Sequence, residues 1–219
     1  MQTGRAGVRG MNLAFERLHG RVRALDGVPI AGRTDRAIVI DVMRRIAVEP
    51  TDSAITSLRD AYIDALRTEI VRPVADPSGV LPGVASLLDA LGAEPGVVTA
   101  LLTGNFQLGA QVKLAHFSIW DRFPFGAFGD DHSERRHLVP VALERARRAG
   151  HPDFPPAHVV IIGDTPNDVD CAKAHGARAI GVTTGPYDRA TLCAAGADLT
   201  VDSLEDVRLL LTEIRKTTS

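Results

Sequence analysis

Three short polar stretches, each following an apolar run, hold the residue types that could do chemistry. The first is Gly163-Asp164-Thr165-Pro166-Asn167-Asp168, directly after Val159–Ile162. Two carboxylates four residues apart around a tight turn can converge on a hard divalent cation such as Mg2+, which takes oxygen ligands. A local reading competes for part of this stretch. Thr165 can cap the following helix, Pro166 suits its first position, Asp168 completes a capping box and Gly176 stops the helix. Asp164, an acid at the mouth of an apolar strand, has no place in that local reading. The second stretch, Thr103-Gly104-Asn105, follows VVTALL. Either Asn105 caps the next helix, or the hydroxyl and free amides hold phosphate oxygens at a helix start. The third runs from Asp130 to Arg136. Arg135 or Arg136 could neutralise a phosphoryl group, bidentate if geometry allows, or the loop is simply solvated. Lys113 competes for the same role, although its mid-helix position reads as a surface lysine.

Other chemistries find little support. The seven histidines show no metal-ligand spacing, and only His132 and His137 lie where a substrate contact is conceivable. No G-x-x-x-x-G-K-[ST] loop occurs, and no G-x-G-x-x-G follows a strand, which argues against nucleotide binding through those loops. The formal charge is -2 over 219 residues, so there is no electrostatic reason to expect a nucleic-acid partner. Arg outnumbers Lys by 22 to 3, which reads as a coding bias. No apolar run approaches the roughly 20 residues of a membrane span. Cys171 and Cys193 form no framework and read as small packed hydrophobes, so a reducing, cytoplasmic location is expected.

The elements that must position these residues follow from periodicity. From Arg5 to about Arg72 the pattern is helical, with Val8, Met11, Phe15 and Leu18 on one stripe and Gly20 as a stop. Ala37–Val48 and Ser53–Val71 are further helices, and GVPIAGRTDRA joins the first two. Pro73 to Gly83 reads as the join between lobes. From Val84 onward, the short runs VVTALL, GAFG, HVVIIG, RAIGVT and DLTV alternate with helical segments. That alternation predicts an α/β fold with a doubly wound, mostly parallel, Rossmann-like sheet. In such sheets chemistry gathers beyond the carboxyl ends of the strands. The predicted division is a helical cap over 1–76 and the core over 77–219.

Together the strand ends resemble the haloacid dehalogenase-like (HAD) superfamily, in its phosphoglycolate-phosphatase-like branch with a helical cap. LLTGN is similar to the second family motif, whose Ser or Thr binds the transferring phosphoryl group. GDTPNDVDCAKAHGARAIGVTTG is similar to the fourth motif and the strand after it. The helical block with GVPIAGRTD in its loop resembles the cap. The resemblance implies a Mg2+-dependent phosphatase of small phosphorylated metabolites. Thr103 and Arg135 would be catalytic, Thr103, Gly104, Asn105, Arg33 and Thr34 would bind substrate, and Asp164 and Asp168 would hold the metal.

Two departures qualify the resemblance. The family's third motif is usually Lys followed by Pro, whereas Arg135 stands nearest that place and is followed by Arg136. The family's first motif is an apolar strand ending in D-x-D-x-T, whose first Asp is the nucleophile. This chain runs from Met1-Gln2-Thr3-Gly4 into the first cap helix, with no such motif near its start. The expectation is an upstream segment of about 10–20 residues, a strand of ordinary length plus its loop, and no turnover by the chain as written. Two alternatives stay open: a non-catalytic protein binding a phosphorylated ligand or a partner, and a 2-haloacid dehalogenase. The Asp164–Asp168 pair argues for a metal and against the dehalogenase.

Overall fold

The computed structural model describes residues 1–217. In chain order the regular elements are β1 (Gln2–Thr3), α1 (Ala6–His19), α2 (Asp35–Arg45), α3 (Asp52–Glu69), β2 (Ser78–Gly79), α4 (Val84–Ala93), β3 (Leu101–Leu102), α5 (Gln107–His116) and β4 (Gly126–Ala127). They continue with α6 (Leu138–Arg148), β5 (Val160–Gly163), α7 (Pro166–Lys173), β6 (Arg178–Val182), α8 (Arg189–Ala194), β7 (Leu199–Val201) and α9 (Val207–Arg215). Helix α4, apolar nearly all round, and strands β1 and β2 lie outside the elements that periodicity predicts. Helix α6 starts two residues before the expected Pro140, after a 3-10 turn at Arg135–His137.

The chain divides into two compact units. The first comprises Met1–Val80, Thr103–Asp121 and Phe128–Ser133. It therefore extends past the expected cap and takes in α5. The reason is apolar packing: Phe106 and Ala110 are buried, and the Phe106 ring lies 6.4 Å from that of Tyr62 on α3. Helices α1 and α3 approach closely because Gly10 leaves room. A Cβ there would stand 3.2 Å from the Leu66 backbone nitrogen, where a larger residue would push the helices apart. Gly20 adopts φ 63° and receives the α1 carboxyl end, as the sequence predicts. Thr34 and Thr51 cap α2 and α3 through their hydroxyls. Strands β1 and β2 pair antiparallel.

The second unit comprises Leu81–Leu102, Arg122–Ala127 and the chain from Glu134. Its strands form two parallel groups, β3–β4 and β5–β6–β7. The run Val97–Leu102 yields only two strand residues, and β5 is the edge of its group. A cleft of about 670 Å3 explains both features. Its lining includes Leu101 and Leu102 of β3 and Val160, Ile161 and Ile162 of β5. Leu102 and Leu143 pack with Val139 and Ile161 in one apolar layer, and Val97, Val160 and Ile162 pack with Leu87 and Leu91 in another. A ladder needs a partner within about 5 Å, and on the cleft side neither edge has one among the described residues.

The β5 amides should accordingly fall into two classes. Those directed at β6 should be protected from hydrogen exchange. Those directed at the cleft should exchange orders of magnitude faster, because opening there breaks no ladder bond. Uniform protection along Val160–Gly163, measured by NMR, would contradict the edge assignment.

Candidate functional site

In the second unit the chemistry collects where β5 runs into α7. Thr165 caps α7 by accepting from the Asp168 amide at 3.3 Å. Asp168 Oδ2 accepts in return from the Thr165 amide at 3.0 Å and from its hydroxyl at 2.8 Å. This is the capping box that the sequence predicts, with Pro166 at the helix start and Gly176 in the left-handed conformation beyond its end. The other oxygen of Asp168 takes the Arg135 guanidinium at 2.5 Å. Arg135 Nη2 also donates to the Leu102 carbonyl at 3.1 Å, at the end of β3. Its Nε is buried with no hydrogen-bond partner. Gly163 makes room for this arrangement, since any Cβ there would collide with the Asp168 carboxylate.

Asp164 lies beside this pair in a different state. Its carboxylate packs against Gly185, where a Cβ would strike it. Burial pushes its carboxyl above the usual range and the neighbouring Asp168 adds to the effect, while Arg135 opposes it. No Lys or Arg pairs with Asp164 at ion-pair distance among the described residues. The two metal candidates therefore differ: both Asp168 oxygens are engaged by protein donors, whereas the Asp164 carboxyl is held above its usual range by burial and by Asp168. Arg136 is turned to the surface, where it pairs with Asp170 at 3.0 Å. Of the two neighbouring arginines, Arg135 is the one held at the strand ends.

In the first unit, Thr103, Gly104 and Asn105 form a turn pinned to the loop before α2. A Cβ on Gly104 would run into the Arg33 carbonyl and the Thr34 backbone. The Asp35 amide donates to the Gly104 carbonyl at 2.6 Å, and Asp35 Oδ2 accepts from the Phe106 amide at 2.9 Å. Asn105 does not cap α5. Its Nδ2 donates to Thr103 Oγ1 at 2.7 Å, and its Oδ1 accepts from Lys113. The Arg33 guanidinium is spent on Asp41 at 2.5 Å and on the Pro29 carbonyl at 3.1 Å. Thr34 is 1% exposed. Its hydroxyl caps α2 and donates to the Ser133 carbonyl at 2.6 Å.

Two sequence expectations are corrected here. Lys113 is not a surface lysine: it is buried, with burial depressing its pKa and the nearby Asp35 carboxylate opposing that. The signal was in the sequence, because Phe106, Ala110, Lys113 and Leu114 share the helical stripe that turns inward. Asp35, from the segment that joins the first two helices, is buried as well. Of the cysteines, Cys171 is buried with its thiol pushed up to about 11, mainly by burial, whereas Cys193 is exposed and does not belong to the core.

The profile of the HAD-hydrolase-like family matches residues 135–207, from Arg135 through both carboxylates to the start of α9. The chain is similar to proteins of the haloacid dehalogenase-like superfamily. It is 28% identical over 154 residues to glycerol-1-phosphate phosphohydrolase 2 of Saccharomyces cerevisiae, covering 68% of this chain and 61% of that protein. It is 31% identical over 134 residues to phosphoglycolate phosphatase of Chromobacterium violaceum, covering 61% and 57%. The chain thus spans about three fifths of the length of those two relatives. Among solved structures, CbbY of Rhodobacter sphaeroides in complex with phosphate has the same fold, with a TM-score of 0.68 at 21% identity over 94% of this chain and 90% of that one.

Its two sets of partners make Asp168 a test of the whole arrangement. Asp168→Ala removes the capping acceptor and leaves the Arg135 guanidinium unpaired. Breaking a buried pair from one side costs about 3–5 kcal/mol. Arg135→Met breaks the same pair but leaves the capping box in place, so it should cost less by the worth of the box. Urea unfolding of both variants decides; equal losses would mean that the capping box contributes nothing beyond the ion pair.

Proposed function

We propose that this HAD-like chain is the core and cap of a Mg2+-dependent phosphatase acting on small phosphorylated metabolites of the phosphoglycolate kind. The observation that carries the reading is Asp164, a partly buried acid beside a second acid, whose carboxyl is raised by burial and by that neighbour. Such a group is stabilised by a cation. Mg2+ is bound by one or two carboxylates together with waters and substrate phosphate oxygens, and Asp164 meets that requirement. No cluster of three or more His, Cys, Asp or Glu that could hold a metal occurs among the described residues, so affinity in the absence of phosphate should be weak. When bound, the cation would neutralise charge on the phosphoryl oxygens.

The remaining roles fall on this chain's own residues. Thr103 donates its hydroxyl to a phosphoryl oxygen, with the Gly104 and Asn105 backbone beside it. Arg135 supplies the fixed positive charge and Asp168 orients it. The Arg33–Thr34 loop bears on substrate choice through the backbone it presents, since Thr34 and the Arg33 guanidinium are already bonded within the first unit. The names of the relatives, a glycerol-1-phosphate phosphohydrolase and a phosphoglycolate phosphatase, support a small phosphate ester as substrate. The covalent step of the family, attack by an aspartate to give an aspartyl phosphate that water then hydrolyses, is assigned to no residue of this chain. The 219-residue chain is accordingly expected to show no appreciable turnover of phosphoglycolate or para-nitrophenyl phosphate.

Asp164→Asn tests the metal assignment. A carboxyl raised above its unfolded value favours folding only where it is protonated, and that contribution is lost as pH rises through the folded pKa. At pH 7 the ionised group is a burden, so the variant should have a higher Tm than the native chain in the absence of metal. The native Tm should rise with Mg2+, by the equivalent of about 2.7 kcal/mol at a hundredfold excess over Kd. The variant should not respond. An unchanged Mg2+ response in the variant overturns the assignment.

A further inference from the structure

Resting on the reading of Thr103 as a phosphoryl-binding residue, we propose that Lys113 and Asp35 are positioning residues that act through Asn105 to make the Thr103 hydroxyl an obligate donor. The argument is an accounting of hydrogens. Lys113 is buried in the first unit beneath α1, where Gly7 leaves it room: a Cβ on Gly7 would stand 3.1 Å from the lysine Nζ and 3.5 Å from the Tyr62 hydroxyl. A lysine ammonium has three donors and no acceptor. It therefore fixes the Asn105 amide with its oxygen inward, and the Asn105 NH2 must point the other way, to Thr103 Oγ1 at 2.7 Å. The Asn105 backbone amide donates to the same oxygen at 3.2 Å.

A threonine hydroxyl has one hydrogen and two lone pairs. Both lone pairs of Thr103 are now taken by N–H donors, so its hydrogen is directed to whatever the turn binds. The ligand atom must accept, as a phosphoryl or carboxylate oxygen does and as an ammonium or amide N–H does not. Asp35 maintains the relay from the other end. Its carboxylate sits in the first turn of α2, where the helix dipole favours a negative charge. It accepts from the Phe106 amide, and its charge counters the desolvation of Lys113. A neutral residue at 113 would let the Asn105 amide turn over, and Thr103 could then donate inward and be lost to the ligand.

The test uses the 219-residue chain, inorganic phosphate as probe and two readouts. By calorimetry or 31P NMR, Lys113→Met should weaken phosphate binding about tenfold, the value of one hydrogen bond to a charged group. The charge-balanced double variant Asp35→Asn with Lys113→Met should show the same loss, and it guards against a single variant that fails to fold. Asn105→Asp reverses the relay: its carboxylate pairs with Lys113 and accepts from Thr103. Its Tm should hold or rise while phosphate affinity falls, which a merely structural role would not produce. By NMR, the Asn105 side-chain NH2 should exchange slowly in the native chain and rapidly in both Lys113 variants. If Thr103→Val abolishes binding and Lys113→Met leaves it unchanged, the relay is wrong and the role of Thr103 stands. If Thr103→Val binds as well as the native chain, or the native chain does not bind, the role of Thr103 falls. In that case the Asn105 exchange rates still decide the relay: unchanged rates in the Lys113 variants overturn it.

Discussion

The Asp168 carboxylate is claimed from two sides, and the polar architecture at the strand ends of the second unit depends on how it meets both claims. One oxygen closes the capping box at the start of α7. The other holds Arg135, which in turn ties down the last carbonyl of β3. A neutral residue such as Asn could satisfy the first claim through its amide oxygen. It could not satisfy the second, because a guanidinium this enclosed needs a full negative charge opposite it. Gly163 follows from that requirement, since the carboxylate occupies the space a side chain would take. The raised carboxyl of Asp164 follows too, since burial and the Asp168 charge beside it outweigh what Arg135, committed to Asp168, supplies.

The first unit solves a similar problem with the signs exchanged. There the buried cation is Lys113, and two kinds of oxygen answer it: the Asn105 amide directly and the Asp35 carboxylate through its field. Burial shifts Asp35 and Lys113 in opposite directions, each toward its neutral form, and the mutual attraction holds both against that shift. Tyr62, buried nearby, is pushed well above its ordinary range by burial and by the same Asp35 charge. It therefore stays a neutral phenol and adds no further negative charge to the cluster. Close backbone contact supplies the remaining precision. Gly104 lets the Thr103 turn and the Arg33–Thr34 loop touch main chain to main chain, and one amide–carbonyl bond from Asp35 fixes their register.

What was legible in the sequence was whatever has a local cause. The helices of the first unit announced themselves through stripes and stop signals such as Gly20. The α7 cap was readable down to the partners of Thr165 and Asp168, because a capping box is written within four residues. Arg135 was separable from Arg136 only as a preference, since their neighbours in sequence are alike and what distinguishes them, Asp168 against Asp170, lies more than thirty residues on. Lys113 was misread for a related reason. Its partners Asn105 and Asp35 come from another turn and another helix, and a lysine with no visible partner is properly assigned to solvent. The stripe containing Phe106 and Ala110 was the contrary signal, and charge type was allowed to outweigh period. The boundary between the units was likewise invisible locally, because α5 joins the first unit through contacts with α3 that no linker composition marks.

The cleft between β3 and β5 carries the argument back from packing to sequence. Its 670 Å3 is far more space than a packed interior leaves empty. Such a space must hold water or chain. Water could satisfy the open edge amides, but it would wet two aliphatic layers, one around Leu102 and Ile161 and one around Leu87, Val160 and Ile162. An extended apolar segment satisfies both, giving ladder bonds to each edge and side chains to each layer. The composition of β5 points the same way. VVII carries neither the charge nor the proline with which natural edge strands protect themselves, and continuous apolar character belongs to strands covered on both faces and flanked on both sides. The side chains around the cleft are thus those of a sheet interior, and they define the occupant that fits: uncharged, extended and apolar on both faces.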